Sequence, residues 1–86
     1  MAKYQILFTS SAERELDKLN VILINKIISK IESLYVNPYA GAKKLKGAPV
    51  YRIRVSNYRV VYEIDDSKKQ ITIFRIRHRK DVYRNL

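Results

Sequence analysis

The residues best able to do chemistry in this chain are cationic and crowd its C-terminal half. Arg52, Arg54 and Arg59 come first, then Arg75, Arg77, His78, Arg79 and Lys80, with Tyr83 close behind. A guanidinium stays charged at any working pH and presents a planar fork of donors that matches a phosphate bidentately. Such a set can hold a phosphodiester and stabilise the negative charge that develops as it breaks. It is poorly suited to removing a proton, because the arginine pKa lies above about 12. His78 is the one side chain of near-neutral basicity, and arginines on both sides favour its neutral, proton-accepting form. A hydrogen-bonded surface histidine is the plainer reading of the same residue. Tyr83 reads either as a core ring with an exposed hydroxyl or as a platform for an unpaired base.

Other chemistries are thin. There is no cysteine, so neither a disulfide framework nor a thiolate metal site can form, and one histidine is too few for the usual zinc sets. No metal and no cofactor are expected. No apolar run approaches the roughly 18 residues of a membrane span, and the expectation is a soluble cytoplasmic protein without a membrane partner.

The net charge of +10 is unevenly placed. Residues 1–42 carry five Lys/Arg against four Asp/Glu, and residues 43–86 carry thirteen against four. Segregated charge of this kind attracts polyanions and costs self-repulsion when nothing uses it. Nucleic acid or an acidic protein is the expected partner, with a merely solvated basic surface as the plain alternative.

Several elements must position these residues. Tyr4 to Thr9 alternates as a first strand, and Ser10 with Glu13 forms a capping box that starts a helix bearing Ala12, Leu16 and Leu19 on one face. Asn20 breaks and recaps the chain. Ile24, Ile27, Ile28, Ile31, Leu34 and Tyr35 then recur at helical spacing until Asn37-Pro38. Residues 38–49 hold both prolines and both glycines among Lys43, Lys44 and Lys46, and read as a basic loop. Tyr51–Val55, Tyr58–Ile64 and Ile71–Ile76 read as a three-stranded meander. The expected architecture is α+β over residues 1–86 as one domain: β-α-α-β-β-β, a two-helix hairpin packed on one face of an antiparallel sheet.

A two-residue turn at Ser56-Asn57 pairs Val55 with Tyr58, Arg54 with Arg59 and Ile53 with Val60. Alternation then sends Tyr51, Ile53, Val55, Tyr58, Val60, Tyr62 and Ile64 toward the helices, and Arg52, Arg54, Arg59 and Glu63 toward the open face. Like charges directly opposite each other cost up to roughly 1 kcal/mol, and a bound anion reverses that sign. The register of the last strand hangs on the loop at 65–70. Which of Arg75, Arg77 and His78 joins the arginine face is therefore open at this level.

The segments Leu45-Lys46-Gly47, Tyr51-Arg52-Ile53-Arg54-Val55, Asn57-Tyr58-Arg59-Val60-Val61-Tyr62 and His78-Arg79-Lys80-Asp81-Val82-Tyr83, in this order, resemble the RelE/ParE superfamily of type II toxin-antitoxin toxins. The resemblance covers almost the whole chain. It implies a microbial-RNase-like RelE fold and neutralisation by a cognate acidic antitoxin in a hetero-oligomeric complex. In the RelE branch it also implies metal-independent cleavage of mRNA in the ribosomal A site. By the same resemblance Arg52 and Arg54 stand where RelE-type toxins carry basic residues, Arg59 where an arginine stabilises the scissile phosphate, and Arg77 or Arg79 where an arginine assists the leaving group. Tyr83 stands where a tyrosine orients the base. Lys43, Lys44, Lys46, Arg75 and Lys80 are the expected RNA-binding periphery. The chain departs from the pattern where some relatives carry lysines at positions 52 and 54, and where a YoeB-like glutamate is replaced by Lys43, which leaves the general base unassigned. The leading reading is an mRNA endoribonuclease; the alternatives are a ParE-like gyrase inhibitor without enzymatic activity and a plain nucleic-acid-binding module.

Overall fold

A computed structural model describes residues 4–39, 41–44 and 50–78. The element order is β1 (Gln5–Phe8), α1 (Ser10–Asp17), α2 (Val21–Ser33), β2 (Lys43–Lys44), β3 (Val50–Val55), β4 (Tyr58–Asp65) and β5 (Gln70–His78). The five strands form one sheet in the order β1-β5-β4-β3-β2, and the class is α+β as expected.

Local chemistry sets the helix boundaries. Thr9, one residue ahead of the expected Ser10, is the N-cap of α1, and its hydroxyl accepts the Ala12 amide at 3.1 Å. The same hydroxyl donates to the Phe74 carbonyl at 3.3 Å, a tertiary contact that favours Thr9 over its neighbour. Asn20 caps α2 by accepting from the Leu23 amide at 2.9 Å, satisfying a donor the first turn leaves without a helical partner.

Two features differ from the expected meander. Strand β1 pairs with β5 in parallel, from Gln5↔Gln70 to Phe8↔Ile73, so the sheet is mixed. A tight turn forces antiparallel neighbours, but β1 reaches β5 only through the intervening chain, and no turn dictates its direction. Within the expected basic loop, Lys43 and Lys44 form a short edge strand opposite Arg52 and Tyr51. The β3–β4 register is the one the Ser56-Asn57 turn demands, with Ser56 taking a positive φ of 56°.

The core lies between the helices and one sheet face. Ala12, Leu16, Ile27, Ile31 and Leu34 meet Ile53, Val55, Val60, Tyr62, Ile64, Ile71, Ile73 and Ile76. Truncating a buried isoleucine such as Ile73 to alanine would cost about 2–5 kcal/mol, a large share of a small domain's stability.

The end of the sheet remote from the Ser56-Asn57 turn is tied by tyrosines. Tyr4 and Tyr39 donate to the two carboxylate oxygens of Asp66 at 2.7 and 2.6 Å, joining β1 and the α2–β2 connection to the β4–β5 turn. Tyr62, buried against Tyr51, donates to the Pro38 carbonyl at 2.8 Å, and burial pushes its hydroxyl up to about 12. The hydroxyls of Tyr39 and Tyr4 hold the Asp66 carboxyl below its ordinary value. A depressed folded-state value means that Asp66 contributes stability above the ordinary carboxylate range and loses it as pH falls through the folded value. Asp66→Asn should therefore melt below wild type at pH 7, and the gap should narrow as pH falls toward 2, as thermal melts across that range would read.

Candidate functional site

The open face of the sheet is built by register. Arg54 lies opposite Arg59, Arg59 opposite Arg77, Lys43 opposite Arg52, and Arg52 and Arg75 flank Val61. Three arginines thus stand in one row across β3, β4 and β5. A β-bulge makes that row possible: Tyr62 pairs with Ile73 but Val61 pairs with Arg75, which leaves Phe74 as the extra residue. Without it, strict alternation from Ile73 would turn Arg75 and Arg77 toward the helices. The spacing Ile71, Ile73, Ile76 was the available signal, since its step of two followed by three breaks the strand period.

Arg52, Arg54, Arg59 and Lys43 line a depression of about 340 Å³ together with Gly41. Gly41 has a φ of 69°, which glycine adopts without side-chain strain, and the lining named here contains no carboxylate. The Nε of Arg52 is buried and has no hydrogen-bond partner among the described residues. A buried donor left unsatisfied is costly, and an anion in the depression would satisfy it. Arg54 is exposed at the rim.

Arg59 departs from expectation. It lies on the arginine face but is only 5% exposed, so it is not the solvent-facing side chain that alternation implied. Its truncation would remove packing as well as charge, and an Arg59 variant cannot be assumed to leave the fold intact. Burial also lowers the effective dielectric around it and strengthens its pull on a bound anion.

His78 lies on the other side. It pairs with Tyr58, shares the helix-covered face, and meets the Tyr58 ring edge-on with centroids 5.4 Å apart. With Tyr58, Asn57, Lys26, Leu23 and Ile22 it borders a separate depression of about 370 Å³. The same bulge that brings Arg77 into the arginine row turns His78 away from it.

Arg77 and Arg75 reach an acidic partner that the sequence reading overlooked. Glu15 on α1 accepts from the Arg77 Nε at 2.6 Å, and the Arg75 guanidinium lies 4.0 Å from the same oxygen. Neither arginine lines the four-cation depression as described. Lys44 pairs with Tyr51 and so projects to the face opposite Arg52. Lys46, Arg79, Lys80 and Tyr83 lie outside the described residues. Glu63 is on the arginine face, opposite Thr72 and Val50 and beyond the depression. Among the described residues no group of three or more His, Cys, Asp or Glu could hold a metal ion, and no helix is long and apolar enough to cross a membrane.

A mixed five-stranded sheet with a helical hairpin on one face and a cationic depression on the other defines a class of small basic α+β proteins. Residues 6–83 match the family described as ParE toxin of type II toxin-antitoxin system, parDE. The chain belongs to that family and is a toxin of the RelE/ParE type. It is 32% identical to Toxin RelG of Mycobacterium tuberculosis over 84 residues, covering 94% of this chain and 97% of the relative. It is also similar to the toxin-antitoxin complex RelBE2 of M. tuberculosis, with a TM-score of 0.81, 30% identity, and 90% and 99% of the two chains covered. An Escherichia coli RelE toxin carrying two arginine-to-alanine changes, in complex with a RelB antitoxin peptide, matches with a TM-score of 0.79, 28% identity, and 99% and 94% covered.

The depression should bind inorganic phosphate. At constant ionic strength, added phosphate should raise the melting temperature of wild type, as any ligand of the native state does. Arg54→Ala should melt at or slightly above wild type without phosphate, because it relieves repulsion with Arg59 worth up to about 1 kcal/mol, and should lose most of the phosphate-induced rise.

Proposed function

We propose that the chain is a metal-independent endoribonuclease that cuts mRNA in the ribosomal A site and so inhibits translation. The observation that carries this reading is the depression lined by Lys43, Arg52, Arg54 and Arg59. In the proposed step the ribose 2′-hydroxyl attacks the adjacent phosphorus, its proton is released, and the bond from phosphorus to the 5′-oxygen breaks. The departing oxygen takes up a proton to become a 5′-hydroxyl. The other product is a 2′,3′-cyclic phosphate, which water can open to a 3′-phosphate. The phosphorane between these states carries extra negative charge on its oxygens, and pre-positioned guanidiniums stabilise it more than they stabilise the starting diester.

This is catalysis by charge and alignment. The described lining holds no side chain of near-neutral basicity, and His78 sits on the opposite face. In-line geometry is strongly rate-determining in such a step, and the ribosome is the proposed scaffold that supplies it to an A-site codon. Arg79 and Tyr83 remain candidates for leaving-group and base contacts, and Lys43, Lys46, Arg75 and Lys80 for contacts to flanking phosphates.

The proposed partner is a cognate antitoxin with an acidic, partly disordered segment that folds on the toxin. Support comes from the +10 charge, from Val21 and Ile22 standing 70% and 71% exposed at the start of α2, and from relatives solved with antitoxin bound. The proposed compartment is the cytoplasm, where translated messages are.

A competing reading, inhibition of DNA gyrase without enzymatic activity, is favoured by the ParE description of the matched family. Single-turnover cleavage on programmed ribosomes separates the two. Wild type should cut message to 5′-hydroxyl products with or without EDTA, while Arg52→Ala and Arg54→Ala should each lose on the order of 100-fold or more. His78→Gln should stay within about threefold of wild type, as expected of a residue outside the arginine row. Uncut message together with accumulation of cleaved DNA on induction would favour the gyrase reading.

A further inference from the structure

Strand β1 ends at Phe8, but β5 runs on to His78, so among the described residues the later part of the β5 edge has no strand beside it. Helix α1 takes over that edge with side chains. The Thr9 amide donates to the Ile73 carbonyl at 3.0 Å, and the Thr9 hydroxyl to the Phe74 carbonyl. Glu15, one and a half turns into the helix, then meets the next stretch with both carboxylate oxygens. Oε1 accepts the Ile76 amide at 2.9 Å, and Oε2 accepts the Arg77 Nε at 2.6 Å.

This geometry constrains Arg77 at two points. Glu15 is tied to the β5 backbone at the residue immediately before Arg77, and its side chain is only 18% exposed. A carboxylate held by a backbone amide cannot swing with the guanidinium, so the bond to Nε sets the plane of the fork. The Nε edge is consumed, which leaves the edge formed by Nη1 and Nη2 for a bidentate anion. By register Arg77 is the β5 end of the Arg54–Arg59–Arg77 row. Glu15 also places a negative charge beside the end of that row, where it offsets repulsion among three cations.

We propose that Glu15 is a positioning residue of the nuclease site, aiming the Nη edge of Arg77 at the phosphate group next to the one held by Arg52, Arg54 and Arg59. This inference rests on the ribonuclease reading for its kinetic consequence but not for its geometric one. Glu15→Gln keeps the size of the side chain while offering one acceptor oxygen where two donors need one each. The Ile76 backbone amide keeps that oxygen, and the new NH2 group then faces the Arg77 Nε–H donor to donor, so Arg77 is released.

The test has two readouts on the full-length protein. In 15N-detected arginine spectra, wild type should show an Arg77 Nε–H protected from exchange, and inorganic phosphate should shift the Arg77 Nη signals. In Glu15→Gln both features should be lost. On programmed ribosomes Glu15→Gln should lower kcat on the order of 10- to 100-fold with KM within about threefold, as expected when alignment rather than binding is removed. In an Arg77→Ala background the same substitution should have no further effect.

Wild-type kcat in Glu15→Gln would overturn the proposal. So would an undiminished loss in the Arg77→Ala background, which would mean that Glu15 acts on the fold and not through Arg77. If wild type itself fails to cut ribosome-bound message, the ribonuclease reading falls, and the spectra still decide the geometric claim. An Arg77 Nε–H that is unprotected in wild type, or phosphate shifts that survive in Glu15→Gln, would overturn it.

Discussion

Like charge held at close quarters is the constraint on which the rest of this structure depends. Arg54, Arg59 and Arg77 occupy directly opposed positions on three neighbouring strands, with Lys43 and Arg52 in an adjacent row. Each opposed pair works against the sheet, and Glu15 beside Arg77 offsets that cost at one end of the row. The stability must come from the other face, where Ile53, Val60, Tyr62, Ile71, Ile73 and Ile76 are shut away beneath two helices. Charge and core are thus divided between the two sides of a single sheet.

Buried charge makes the division sharper. Arg59 sits among cations at 5% exposure, and the Nε of Arg52 is buried as well. Charges in such surroundings cost more than surface charges and interact more strongly with a ligand of opposite sign. A polyanion entering the depression gains from groups already desolvated and already aimed, which is the condition under which electrostatic stabilisation of a transition state is strongest. The charge of the depression suits a polyanionic ligand, and the proposed ribonuclease reading rests on the chemistry that clustered guanidiniums perform on a phosphodiester.

The two ends of the sheet are secured by different means. At one end Asp66 gathers the hydroxyls of Tyr4 and Tyr39, so that three separate segments share one carboxylate. At the other, α1 continues the exposed edge of β5 with Thr9 and Glu15. The second arrangement couples structure to site, because the carboxylate that satisfies the Ile76 amide also holds Arg77. In both places an acidic side chain from a distant part of the sequence does what a longer strand or a tighter loop would do elsewhere.

The sequence by itself determined whatever depends on neighbours along the chain. The Asn20 cap, the apolar stripe of α2, the turn at Ser56-Asn57 and the opposition of Arg54 to Arg59 were all legible, because period, cap and turn chemistry act over a few residues. The family resemblance was legible for the same reason, in short motifs along the chain. Tertiary structure alone decided what depends on distant partners. It chose the parallel pairing of β1 with β5, which no turn enforces, and set the bulge at Phe74 that turns Arg77 onto the arginine face and His78 away from it. Burial of Arg59 and capture of Arg77 by Glu15 belong to the same class, since alternation says which face a side chain takes but not what covers it there. Sixty-two positions separate Glu15 from Arg77, and only packing α1 against the open edge of β5 brings the two together.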